Sequence, residues 1–218
     1  MTPGRESPFD VNADQYDRWF DENEALLRAE VEALRRFVAP GGPGLEIGVG
    51  SGRFAEALGI GRGIDPSRPM LARAAARGIQ VVQGVAEALP FGDATFAIAL
   101  VNTAVCFMDD VEAAFAEAAR VLMPGGRLVV GMIDGDSWLG RRYRAEAARD
   151  VFYAAARFRS VAEVRARMAD AALTHVGCAQ TVFQAELPGR KATDVTSGSG
   201  RGGYAVVCGE RASMRRMP

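Results

Sequence analysis

The sequence predicts an α/β fold, a mostly parallel sheet covered by helices on both faces. Three observations lead there. Short apolar runs alternate with helical patterns between about residues 45 and 133, as in consecutive strand–helix–strand units. One run, Thr95–Asn102, is apolar almost throughout, as a strand buried on both faces should be. Glycine-rich turns, at 48–52 and 124–126, separate the two kinds of segment.

Taken in order, residues 1–8 carry Pro, Gly and Ser and are expected to fray. A helix is expected over 12–39, where Leu26, Leu27, Val31, Leu34 and Phe37 fall near helical spacing, and Pro40-Gly41-Gly42-Pro43 stops it. Leu45–Val49 is the first strand, followed by a glycine turn and a helix near 52–58. Gly61–Asp65 is the second. Pro66–Arg77 is helical, with Met70, Leu71, Ala74 and Ala75 on one face and Gly78 as its stop. Ile79–Gln83 and Thr95–Asn102 are the third and fourth strands. Asp109 or Asp110 caps a helix near 111–122, and Arg127–Ile133 is the fifth strand. Ser160-Val161-Ala162-Glu163 is a capping box opening a helix near 161–172. Thr174–Gln184 and Tyr204–Gly209 read as two last strands able to pair antiparallel, with 186–203 as a flexible loop between them.

The 218 residues are 49% hydrophobic and 24% charged, the balance of a globular protein with room for one core. A formal net charge of -1 draws the chain toward neither nucleic acid nor anionic lipid, so neither partner is expected. No stretch approaches the roughly 20 apolar residues of a membrane span, and residues 1–10 lack the apolar run of a signal peptide. Cys106, Cys178 and Cys208 lie far apart without metal-ligand spacing. They point to free buried thiols, no bound metal and a cytoplasmic location.

The sharpest local feature is Leu45-Glu46-Ile47-Gly48-Val49-Gly50-Ser51-Gly52. A strand runs into three alternate glycines and a helix follows, a layout that lets backbone approach a ligand closely. Asp65 stands at the end of the second strand, where an acid in a doubly wound sheet points at a ribose. The dinucleotide pattern would place a third glycine where Arg53 stands. Glu46 lies two residues before the first glycine and would repel a pyrophosphate. It suits a ligand with an ammonium and a sulfonium, and S-adenosylmethionine carries both.

These runs resemble a known family. LEIGVGSGRFAEALG, at 45–59, resembles motif I of class I S-adenosylmethionine-dependent methyltransferases. GIDPS at 63–67 is similar to their ribose-binding motif, GVAEALPFGDATFAIAL at 84–100 to their third and fourth motifs, and LMPGGRLVVG at 122–131 to their strand-five signature. GMIDGDSWLG through VFYAAARFRS, at 131–160, is similar to an uncharacterised small-molecule-type subgroup of the ubiquinone/menaquinone-biosynthesis-like superfamily. The resemblance implies a Rossmann-like, doubly wound, seven-stranded sheet with the last strand antiparallel. It implies methyl transfer from S-adenosylmethionine to a small-molecule acceptor, with S-adenosylhomocysteine as product. It also implies one domain over 1–218, with a helical cap over about 9–39 and an acceptor-side insert over about 135–160.

Carried over by resemblance, the backbone at Gly48 and Gly50 approaches the methionine part of the cofactor, Glu46 its amino group and Asp65 the ribose hydroxyls. Pro66 and Met70 lie against the adenine, and the Ala86 N–H and Glu87 side chain hold its edge. Asn102 contacts the cofactor near the reacting methyl. Two positions depart from the family pattern: Val85 and Ala97 stand where Asp is common.

On the acceptor side, Tyr16 and Trp19 lie one helical turn apart and either cover the cofactor or dock their helix on the core. Thr103 and Phe107 follow the fourth strand, where a substrate would enter. Trp138, Tyr143, Phe152, Tyr153 and Phe158 either shape an acceptor pocket or pack helices. Arg141, Arg142, Arg144 and Arg149 either face an acidic acceptor or line a solvated helix. No catalytic residue is assigned, since an activated methyl needs chiefly positioning. Two competing readings remain, a binding protein without catalysis and an NAD(P)-dependent oxidoreductase. Arg53 and Glu46 count against the second.

Overall fold

In the computed structural model, which describes residues 7–39, 41–184 and 191–213, the chain opens with three helices rather than one. These are α1 (Pro8–Val11), α2 (Ala13–Glu22) and α3 (Glu24–Arg35). The breaks fall at two asparagines. The Asn12 amide donates to the Pro8 carbonyl at 3.1 Å, and the Asn23 amide to the Trp19 carbonyl at 2.8 Å. Each takes a φ near that of extended backbone, -115° and -123°. Side chains that bond the carbonyl four residues back compete with the helix ladder, so the helix expected over 12–39 is segmented. Ser7 and Pro8, expected to fray, instead open α1 through a capping box with Asp10.

Among the described residues, eight strands form one sheet in the order β3-β2-β1-β4-β5-β8-β6-β7. The strands are β1 (Gly44–Ile47), β2 (Arg62–Asp65), β3 (Gln80–Gln83), β4 (Phe96–Asn102), β5 (Leu122–Ile133), β6 (Leu173–Thr181), β7 (Thr196–Ser197) and β8 (Tyr204–Arg211). The first five run parallel, and β8 lies antiparallel between β5 and β6. The expected count of seven is corrected by β7, which pairs with Ala179 and Gln180 of β6. Arg36 holds that segment by donating to the Val195 carbonyl at 2.8 Å. The expected loop over 186–203 therefore contains an edge strand; residues 185–190 lie outside the described residues.

The intervening helices are α4 (Arg53–Leu58), α5 (Arg68–Ala76), α6 (Val111–Val121), α7 (Trp138–Glu146) and α8 (Val161–Asp170). Asp110, not Asp109, caps α6, and the Ser160–Glu163 capping box opens α8 as expected. Two apolar layers flank the sheet. Ala99 and Val101 of β4 pack with Phe115 of α6 and Val164 of α8. Ile98 and Leu100 pack with Leu34 of α3, Phe54 of α4 and Leu71 of α5. This two-residue alternation is why β4 is apolar from Phe96 to Val101. The order reverses between β1 and β4, and in such sheets the crevice at the strands' carboxyl ends is the ligand site.

Candidate active site

At that crevice Ile47 of β1 pairs with Val101 of β4, so Gly48 and Asn102 leave the sheet side by side. Gly48 and Gly50 take φ of +76° and +51°. A Cβ on Gly48 would come 2.5 Å from the Ala104 methyl, whereas one on Gly50 would meet nothing within 4 Å. The first glycine is thus required by packing, and the second leaves an open face on the loop.

Asp65 ties this loop to the end of β2. Its Oδ2 accepts from the Gly50 N–H at 3.0 Å and its Oδ1 from the Ser67 N–H at 2.9 Å. Burial pushes the carboxyl up, against the pull of those two bonds. Each oxygen keeps a further acceptor site. Glu46 is 2% exposed and accepts from the Ala55 N–H, but its Oε2 has no hydrogen-bond partner. Burial holds this carboxyl well above the usual range. Asn102 is likewise buried: its Oδ1 accepts from the Tyr204 hydroxyl at 2.5 Å, while its Nδ2 has no partner. A buried acceptor and a buried donor lacking partners beside a glycine loop fit a polar ligand. Glu46 suits an ammonium group in particular.

The loop is clamped from the other side by α2. Asp17 receives Arg53 at 2.7 and 3.0 Å, and Arg77 at 3.0 Å. Arg77 also donates to the Ser51 carbonyl of the glycine loop at 2.9 Å. Burial would raise the Asp17 carboxyl, but bonds from Arg53, Ser51 and Arg77 hold it well below the usual range.

Next to the crevice lies a cavity of about 570 Å³. Tyr16, Trp19, Glu30, Thr103, Trp138 and Tyr153 are among its walls. Thr103 sits just beyond β4 with φ of +50° and bonds the Tyr16 hydroxyl. Burial outweighs that bond and raises the Tyr16 phenol. Phe9 of α1 closes the region with Tyr16, Phe107 and Phe152, at ring separations of 5.1–5.5 Å.

A family described as a methyltransferase domain matches residues 45–130. The chain is similar to a solved S-adenosylmethionine-dependent methyltransferase from Thermotoga maritima, described as a possible histamine N-methyltransferase. The identity is 39%, coverage is 94% of this chain and 98% of that one, and the TM-score is 0.87. The chain belongs to the S-adenosylmethionine-dependent methyltransferase family. An uncharacterised protein of Methanocaldococcus jannaschii is 40% identical over 93% of this methyltransferase and 98% of its own length. The ubiquinone/menaquinone biosynthesis C-methyltransferase of Desulfotalea psychrophila is 34% identical over 58% and 57%. The protein is therefore an enzyme of class I, with S-adenosylmethionine as its cofactor.

The structure gathers Glu46, Gly48, Gly50, Asp65 and Asn102 at one crevice. Others sit differently. Glu87 spends one oxygen on the protein itself: its Oε1 accepts from the Asp109 and Asp110 N–H groups at 3.1 and 3.3 Å. Met70 is 1% exposed, so contact with a nucleobase would require the segment over it to shift, whereas Pro66 is exposed. Ala86 is half-buried against the core. Trp19 is 40% exposed at the cavity rim, and Tyr16 and Thr103 lie inside. Phe107 stacks on Tyr153, 5.9 Å away, behind the wall. Cys106 is buried, with its thiol pushed up by burial to about 12, which suits packing and not nucleophilic chemistry.

Sequence reasoning missed Tyr204 and Glu30. Tyr204 opens a predicted strand and carries no local signal of a place at the site. Glu30 carried a usable signal: it lies four residues after Leu26 and four before Leu34, a carboxylate on the apolar stripe of its helix.

Proposed function

We propose that this methyltransferase transfers the methyl group to a small molecule held in the 570 Å³ cavity. That cavity is the observation that carries the reading. Its size lies within the range of small-ligand sites, its lining is mostly aromatic and apolar, and it meets the cofactor crevice at Thr103.

When bound, S-adenosylmethionine supplies a methyl group already activated by a sulfonium. The residues present fit it. Glu46 would take the ammonium group with its unpartnered oxygen, and the Gly48 and Gly50 backbone would lie along the methionine part. Asp65 would accept from the ribose hydroxyls while keeping Gly50 and Ser67. Pro66 and Ala86 would flank the adenine, and Asn102 would offer its Nδ2 near the reacting centre. Tyr16 and Thr103 would orient the acceptor, and the aromatic wall would exclude water. In-line displacement demands such alignment, which positioning supplies without a dedicated base.

In this reading residues 1–218 form one domain, with 9–39 as a cap over the cofactor and 135–160 as the wall of the acceptor site. The three free thiols fit a reducing, cytoplasmic setting. No helix among the described residues is long and apolar enough to cross a membrane.

Incubation with S-adenosylmethionine and a panel of metabolites, read as S-adenosylhomocysteine release, tests the acceptor class. Turnover of small molecules supports it. Turnover confined to a protein or RNA acceptor contradicts it.

A further inference from the structure

The cavity wall contains a carboxyl group that nothing so far has used. We propose that Glu30 is the acceptor-recognition residue of this enzyme, presenting its carboxylate from α3 into the cavity to select acceptors that carry a basic nitrogen. This rests on the reading of the cavity as the acceptor site.

Glu30 lines the void. It has no hydrogen bond or salt bridge among the described residues, whereas its helix neighbours Glu24 and Glu32 pair with Arg28 and Arg35. Burial alone pushes its carboxyl up to about 8. A carboxylate placed there for stability would have a cation, and an isolated one in an apolar wall costs stability. Its surroundings suit a cationic guest. Tyr16 of α2, Tyr143 of α7, Tyr153 of the following turns and Tyr204 of β8 all lie close enough to feel its charge. Aromatic faces attract an ammonium group.

The remaining charged groups on the lining do not compete. Arg142 pairs with Glu146 at 3.2 Å on an exposed face. Asp150 accepts from the Phe152 and Tyr153 N–H groups at 2.8 and 2.9 Å. Asp150 thus spends its Oδ1 on its own turn, whereas neither oxygen of Glu30 has a hydrogen-bond partner among the described residues.

An ammonium bound here pairs with ionised Glu30. Affinity should rise about tenfold per pH unit up to the Glu30 titration and flatten above it, until the amine itself deprotonates. In the free enzyme the carboxyl is raised, so its contribution to stability is present at low pH and lost as pH rises toward about 8. Glu30→Gln should therefore raise Tm at alkaline pH.

The experiment titrates the enzyme, saturated with S-adenosylhomocysteine, with phenethylamine, phenethyl alcohol and phenylpropionate near pH 8.5. The wild type is expected to prefer the amine over the alcohol by about 10–100-fold, the range of one charge-assisted bond. Glu30→Gln should lose that preference, keep its affinity for S-adenosylhomocysteine and show a higher Tm. Glu30→Asp should restore part of the preference. With a turned-over amine, the Gln variant should raise KM far more than it lowers kcat. Equal binding of amine and alcohol, tighter binding of the acid, or a preference kept by the Gln variant overturns the role of Glu30 and leaves the small-molecule reading standing. Binding of none of the three overturns both.

Discussion

Arg53, the first residue of α4, grips Asp17 of α2 through two hydrogen bonds of 2.7 and 3.0 Å across 36 residues of sequence. The same arginine occupies the position where a dinucleotide-binding loop would have its third glycine. A bulky cation is tolerated there because it points away from the loop, into the helix that covers it. The pair fixes α2, and with it Tyr16, over the crevice.

Replacing Asp17 by Asn should cost about 2–3 kcal/mol, because both Arg53 and Arg77 lose a charged partner in a partly buried setting. The Asp17 carboxyl is depressed in the folded state, so its contribution is present above the ordinary value of 3.8 and lost as pH falls below it. Denaturant melts between about pH 5 and pH 2 should show a shallower acid decline in the variant. KM for S-adenosylmethionine should rise as α2 loosens.

Asp65→Ala should weaken S-adenosylhomocysteine binding by roughly 10–100-fold, the loss of one or two bonds to a charged group. Isothermal titration reads this directly. Part of the effect reflects the glycine loop, because Gly50 and Ser67 lose their acceptor as well. Asp65→Asn separates the two, keeping the acceptor at one oxygen and removing the charge.

Glu46 is raised well above its usual range by burial. An ammonium placed on its unpartnered oxygen lowers it again. Cofactor binding should therefore release a proton at pH values where free Glu46 is protonated. Calorimetry in two buffers of different ionisation enthalpy measures that release, and Glu46→Gln should abolish it.

Glu87→Ala should lower Tm by leaving the Asp109 and Asp110 N–H groups without their acceptor, at a cost of about 1 kcal/mol. Affinity for the cofactor should change little. A large loss of affinity would instead return Glu87 to the adenine edge.

Much of the fold was legible because its elements carry local signals. The apolar run of β4, the capping box of α8 and the glycines of the loop each act within a few residues. The breaks between the N-terminal helices were not legible, because Asn12 and Asn23 interrupt the ladder through side-chain bonds that the apolar spacing of Leu26 and Leu34 does not register. The edge strand at Thr196–Ser197 depends on Arg36, 159 residues from Val195, which no local pattern contains. The crevice was readable through Glu46, Gly48 and Asp65, which share short motifs. Tyr204 was not, because its bond to Asn102 spans 102 residues.

A crystal structure of the enzyme with S-adenosylhomocysteine tests the account most directly. The amino group should rest on Glu46, the ribose hydroxyls on Asp65, and the sulfur should face the cavity beside Thr103. A ligand seated elsewhere, or a Glu46 oxygen still unpartnered with the ligand bound, would contradict it.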